Sequence, residues 1–121
     1  VAIPVLRRYR PELLIVSAGY DGHTTDPLAN HVLTADGYHQ LATRAQVMAD
    51  ELCGGHLLVV LEGGYCLDAL AHCLENTALA LLGRPPLAPD PVVPNVHPTA
   101  VARVDDYLDQ LIAVHRARLD V

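Results

Sequence analysis

The chain has 121 residues, 51% of them apolar and 18% charged, with a formal charge of −6 from 14 acidic and 8 basic side chains. That length suits a single domain, and half-apolar content excludes a disordered tail. The acidic balance excludes a nucleic-acid-binding surface, which needs clustered positive charge. The longest apolar runs, such as 57–61, are too short to span a bilayer, so no membrane role is expected. The start carries no signal-peptide pattern. It also opens on Val1 inside the apolar run Val1-Ala2-Ile3-Pro4-Val5-Leu6, without a polar lead-in, which points to a fragment. All eight basic residues are arginine, and Phe and Trp are absent, a bias read as genomic composition rather than function.

Residues 1–10 read as the end of a helix, with Arg7, Arg8 and Arg10 at its negative dipole end and Pro11 closing it. Leu13-Leu14-Ile15-Val16, running into Ser17-Ala18-Gly19, is a short continuous apolar run of the kind buried on both faces of a parallel sheet. A polar loop rich in turn formers covers 20–33. Thr34 then caps a helix with Leu41, Ala45, Met48, Ala49 and Leu52 at helical spacing, ended by Cys53-Gly54-Gly55. His56-Leu57-Leu58-Val59-Val60-Leu61 is a second strand, running into Glu62-Gly63-Gly64-Tyr65. The next helix carries Leu67, Leu70, Ala71, Leu74, Ala78 and Leu81 on one face and stops at Gly83. Six of the nine prolines fall in 84–98, an irregular connector, after which Thr99 caps a last helix. Its inward face is predicted to hold Val101, Val104, Leu108, Leu111, Ile112 and Leu119, with a solvated polar face opposite.

Alternating strands and helices signal a parallel sheet between helical layers. Two strands and about four helices are too few to complete such a fold, because both strands keep an open edge and small sheets are marginal alone. The expected organisation is therefore 1–83 as part of an α/β domain, 84–98 as connector and 99–121 as a C-terminal helix. Cys53, Cys66 and Cys73 form no C-x-x-C pair. Cys66 and Cys73 are separated by roughly 10 Å of helical rise, too far for a disulfide. All three are read as packing residues in a reducing, cytoplasmic setting.

Active sites of open parallel sheets lie at the carboxyl ends of the strands. Here those ends deliver Asp21 and His23 after the first strand and Tyr65, behind two glycines, after the second. Carboxylate and imidazole suit a divalent metal such as zinc, and a phenol can donate a hydrogen bond to an oxyanion. Gly63 and Gly64 let backbone approach a substrate closely. Each motif by itself also fits an ordinary turn.

Ser17-Ala18-Gly19-Tyr20-Asp21-Gly22-His23, followed by Asp26-Pro27-Leu28 and Gly37-Tyr38, resembles a signature of the histone deacetylase and acetylpolyamine amidohydrolase superfamily, nearest its bacterial and class II-like members. Leu61-Glu62-Gly63-Gly64-Tyr65, followed by Leu67, resembles the second signature, which closes the active site. The resemblance covers roughly residues 1–83. It implies an arginase/deacetylase-type α/β fold, a three-layer parallel-sheet architecture, and a zinc amidohydrolase that removes acetyl groups from lysine or polyamine nitrogen. It further implies that Asp21 is a zinc ligand, that the Tyr65 hydroxyl steadies the oxyanion, and that Gly63 and Gly64 line the acetyl-lysine channel. Asp26 and Pro27 are expected to fix the loop, and His23 to be a loop residue rather than a ligand.

Tyr20 stands where the family pattern has Phe, and Gly22 where it has Ala. The family's Asp-x-His motif and paired His-His base, both upstream in the pattern, have no counterpart here. His31, His39, His56, His72, His97 and His115 do not stand in contexts that would replace them. The expected function is thus the C-terminal portion of a zinc deacetylase, inactive alone and needing an N-terminal half or a partner chain to complete the site. The alternative is a non-catalytic deacetylase-like interaction module.

Overall fold

The computed structural model describes residues 2–90 and 98–119 and divides into two compact units, 12–94 and 1–11 with 95–121. In the larger unit, β1 (Leu14–Ala18) and β2 (Leu57–Leu61) form a two-stranded parallel sheet, in register from Leu14 opposite Leu57 to Ala18 opposite Leu61. The helix α2 (Ala35–Cys53) is the crossover between them, touches both strands, and packs along α3 (Leu67–Leu81). The α2 boundaries follow from local chemistry. Thr34 is extended, and its hydroxyl accepts from the Gly37 N–H. At the other end Gly54 takes the left-handed conformation, φ +62°, and closes the helix onto the Ala49 carbonyl.

The sheet departs from its expected burial. Leu14, Val16, Ala18, Leu57 and Val59 are half-buried, while Ile15, Leu58 and Val60 on the alternate positions are exposed, Ile15 to 58%. The apolar run is continuous because both faces are built for burial; among the described residues only one face is covered.

The helix faces differ as well. On α3 the buried residues are Ala69, Cys73, Asn76, Thr77 and Ala80; of the predicted leucine row, Leu70 and Leu81 are half-buried while Leu67 and Leu74 are exposed. Small residues let α3 approach α2 closely, where Ala35, Tyr38, Met48 and Ala49 are buried and Leu41 is exposed. The innermost cluster is Tyr20, Ala35, Tyr38 and Cys73, with Ala18 and Leu70 against it. The rings of Tyr20 and Tyr38 meet at 5.0 Å, tilted by 46°. The Tyr20 hydroxyl donates to Thr77 Oγ1 at 3.1 Å, which ties the loop after β1 to α3. Cys73 is fully buried, and that burial, reinforced by the Asp90 and Cys66 charges, pushes its thiol up to about 12. An unreactive packing thiol is what such a site produces. All three cysteines are free.

In the other unit, α1 (Ala2–Tyr9) ends with Arg7 and Arg8, and Arg10 follows it in the left-handed region, φ +55°, its N–H on the Leu6 carbonyl. The helix α4 (Pro98–Leu119) half-buries Leu111 and Ile112 but exposes Val104 and Leu108 from the predicted inward face. The side chains of Val101 and Leu119, and residues 91–97 of the connector with His97, lie outside the described residues.

Candidate active site

Backbone pairing continues past the strand ends. The Glu62 N–H donates to the Ala18 carbonyl at 3.0 Å, and the Tyr20 N–H to the Gly63 carbonyl at 2.8 Å. The two signature loops therefore leave the sheet side by side. Asp21 turns its carboxylate over this junction. A Cβ placed on Gly19 would stand 2.9 Å from Asp21 Oδ1, and one on Gly63 would stand 2.8 Å from Oδ2. The carboxylate thus occupies the space that side chains at Gly19 and Gly63 would need. That is the reason both positions are glycine, and it brings Asp21 and Gly63 together.

Gly64 follows at φ +141°, a conformation closed to other residues, with Leu70 and the Cβ of Tyr20 crowding its open side. Tyr65 comes next, 55% exposed. Its backbone is held from the first loop, where Asp26, 8% exposed, accepts the Tyr65 N–H at 2.7 Å and the Cys66 N–H at 3.3 Å on Oδ2. The other oxygen, Oδ1, accepts the Leu28 N–H at 2.9 Å and closes the turn at Pro27. Burial alone would raise the Asp26 carboxyl, but the surrounding backbone N–H donors outweigh it and hold the group below its ordinary value. Asp26 fixes its own loop, as the sequence predicts, and also carries the second loop, which the sequence does not reveal.

His23 is only 2% exposed, with both ring nitrogens engaged. Nδ1 accepts the Thr25 N–H at 3.2 Å, which assigns the proton to Nε2, and Nε2 donates to Asp90 Oδ2 at 2.9 Å. The same Asp90 oxygen accepts the Ala35 N–H at 2.7 Å, at the start of α2. Burial raises the Asp90 carboxyl, whereas the Ala35 N–H and His23 lower it; the net shift is downward. Asn76, also buried, accepts the Leu87 N–H at 2.9 Å and so docks the proline-rich connector on α3. Asp90 is a residue that sequence reasoning missed. Its partners lie 55 and 67 positions away, and nothing near it in sequence signals them.

The Tyr38 hydroxyl is buried against Gly22 without a hydrogen bond of good geometry, and a Cβ on Gly22 would meet it at 2.9 Å. Burial, with Cys73 and Asp21 nearby, pushes this phenol up to about 12. An alanine at position 22 would therefore press on the Tyr38 hydroxyl and require that ring to shift. Beside His23, an open cleft of about 320 Å³ is lined by Thr25, Cys66, Asp68, His72 and Asp90. Among the described residues, no three His, Cys, Asp or Glu side chains come together as a metal-holding group.

Residues 1–81 match the family described as the histone deacetylase domain. The chain belongs to the histone deacetylase family. It is 42% identical over 106 residues to "Histone deacetylase 10, chloroplastic" of Oryza sativa subsp. japonica, across 85% of this chain and 24% of that protein. It is 45% identical over 81 residues to a "Probable deacetylase" of Archaeoglobus fulgidus, across 66% of this chain and 23% of that one. Among solved structures, the HD domain of HDA15 superposes with a TM-score of 0.61 at 36% identity, covering 77% of this chain and 25% of that one. The histone deacetylase Clr3 superposes with a TM-score of 0.66 at 32% identity, covering 88% and 17%. The chain therefore spans about a quarter or less of the length of these relatives. Among the described residues, the two strands and four helices are part of the α/β deacetylase fold.

Proposed function

We propose that this chain is the portion of a zinc-dependent deacetylase that supplies one metal ligand, Asp21, and the oxyanion donor, Tyr65, for hydrolysis of an acetylated lysine or polyamine amide. The observation that carries the reading is the seat of Asp21 across Gly19 and Gly63, at the carboxyl ends of both strands, with Gly63 two residues before Tyr65. A half-buried carboxylate so placed fits a metal ligand as one member of a set. Catalytic zinc sites use three protein ligands, so the remaining donors come from the rest of a deacetylase domain or from a partner chain, and this chain alone is inactive. The exposed apolar face of Ile15, Leu58 and Val60 accords with a layer supplied by that remainder.

Each residue has a chemical task in the completed site. Zinc, when bound, would polarise the amide carbonyl and activate water. Asp21 would hold the metal over the strand ends. The Tyr65 hydroxyl would donate to the oxygen that becomes negative as the amide carbon turns tetrahedral, an interaction strongest in the transition state. Gly63 and Gly64 would present backbone, not side chain, to the acyl chain beside it.

Zinc content and turnover of an acetyl-lysine peptide, measured on the 121-residue chain, test the reading. The expected result is neither stoichiometric zinc nor activity, with both restored when the rest of a deacetylase domain is supplied. In the completed enzyme, Asp21→Asn lowers zinc occupancy. Tyr65→Phe lowers turnover by about 10²–10³, the usual loss for one oxyanion donor. Full zinc occupancy in the first variant, or an unchanged rate in the second, refutes the corresponding role. Zinc and turnover in the chain alone would overturn the division of the site.

A further inference from the structure

We propose that Asp26 is the positioning residue for Tyr65: its carboxylate spans from the first signature loop to the second and fixes where the Tyr65 backbone stands. The inference rests on the deacetylase reading only for what Tyr65 does, not for the tether itself.

Tyr65 has little else to hold it. Its side chain is more than half exposed, so packing does not set the ring. Two glycines precede it, and neither carries a side chain that could anchor the loop. Cys66, at the N-cap position of α3, makes no side-chain cap bond. Against this freedom stands one buried carboxylate with each oxygen assigned. Oδ1 is taken by the Leu28 N–H, which orients the carboxylate within its own loop. Oδ2 then faces outward and receives the N–H groups of Tyr65 and Cys66, 39 and 40 residues away. Bonds from backbone N–H to a carboxylate are stronger than neutral ones, and here they pin the two residues just ahead of α3. An amide side chain at 26 offers a single oxygen. Asn could serve Leu28 or the Tyr65 loop but would turn an NH2 group toward the other donor.

Asp26→Asn therefore disturbs Tyr65 without touching substrate. In the completed enzyme, a misplacement of about 1 Å costs up to 10²-fold, so kcat is expected to fall about 10- to 100-fold. KM should stay within about twofold, because the lost interaction belongs to the transition state. A residue acting through Tyr65 adds nothing once the hydroxyl is gone, so Asp26→Asn/Tyr65→Phe should be no slower than Tyr65→Phe alone. In the 121-residue chain, amide exchange gives a readout independent of activity. The Tyr65 and Cys66 amides should lose protection in Asp26→Asn, while Glu62 and Tyr20, bonded to Ala18 and Gly63, keep theirs. Should the variant not fold, the unaltered chain still decides: a slowly exchanging, downfield Tyr65 amide proton is required, and a fast one refutes the tether. Retained kcat in the single variant, or losses that multiply in the double, also refutes it. If Tyr65→Phe itself leaves turnover intact, the deacetylase role of Tyr65 fails, and the exchange data judge the tether separately.

Discussion

Gly63 and Gly64 are neighbours in sequence, yet replacing each by alanine should do opposite things. At Gly63 the new Cβ would stand 2.8 Å from Asp21 Oδ2 and 3.0 Å from its Cγ, well inside the roughly 3.5 Å of ordinary contact. The obstructing atoms are the far end of one side chain, which can rotate aside. The chain should then lose less than about 1 kcal/mol, but the carboxylate leaves its seat. At Gly64 the new Cβ meets Leu70 Cδ1 at 2.9 Å and the Cβ of Tyr20, which cannot rotate away, at 3.2 Å. The backbone at φ +141° adds strain of about 1–3 kcal/mol for a non-glycine residue, and the overpacking about as much again. Offset by about 0.4–1 kcal/mol from the stiffer unfolded chain, the net loss is roughly 1–5 kcal/mol. That is a large share of the about 5–15 kcal/mol typical of a folded domain. Urea unfolding of the 121-residue chain, followed by far-UV circular dichroism, measures both. In the completed enzyme Gly63→Ala should fold normally and lose zinc and activity. Equal destabilisation by the two substitutions would refute the argument, because it would mean that Asp21 is as rigidly seated as the backbone of the loop. So would a Gly64→Ala chain as stable as its parent.

Two further outcomes follow from the contacts around the loop after β1. Tyr20→Phe, which restores the residue usual in the resemblance, removes the 3.1 Å bond to Thr77 and should cost about 0.5–1.5 kcal/mol; a Thr77→Val background should absorb most of that loss, and additive effects would show that the pair does not interact. Asp26 and Asp90 both have carboxyls held below their ordinary values, so each stabilises the fold above the unfolded-state value and loses that effect as pH falls through the folded one. Unfolding midpoints should therefore drop on acidification below the ordinary carboxylate range. Asp90→Asn should be less stable at neutral pH with a shallower acid dependence, and curves that run parallel would refute the assignment.

What the sequence discloses about this fold is what neighbouring residues decide among themselves. Thr34 and Gly54 bound α2 because a cap needs only a hydroxyl three residues from an N–H and a residue free to turn left-handed. The strand beginning near Leu13 and the one at Leu57–Leu61 are legible because apolar runs between turn formers have few other uses. The signature residues of both loops are legible for a different reason, their resemblance to a family pattern. Asp90 shows where that legibility stops. Its carboxylate joins His23 and Ala35, and no short-range rule connects a proline-rich connector to a loop 67 residues earlier. Asp26 is half legible: its turn with Leu28 is local, and its grip on Tyr65 is not.

The misassigned helix face has a physical cause that also bears on function. On α3, Leu67 and Leu74 form a better apolar row than Ala69, Cys73, Thr77 and Ala80, so periodicity selects the leucines. The chain instead turns the small residues toward α2, because close approach of two helices rewards small side chains, and leaves those leucines exposed. On the sheet, Ile15, Leu58 and Val60 are exposed in the same way, on positions alternate to those that are covered. A helix and a sheet that are apolar beyond the face they bury carry two sets of packing instructions, and this chain satisfies one set on each element. In the active-site loops, Asp21 lies over the backbone of Gly19 and Gly63, and Tyr65 is held by its own N–H on Asp26, so contacts between the two loops set both positions.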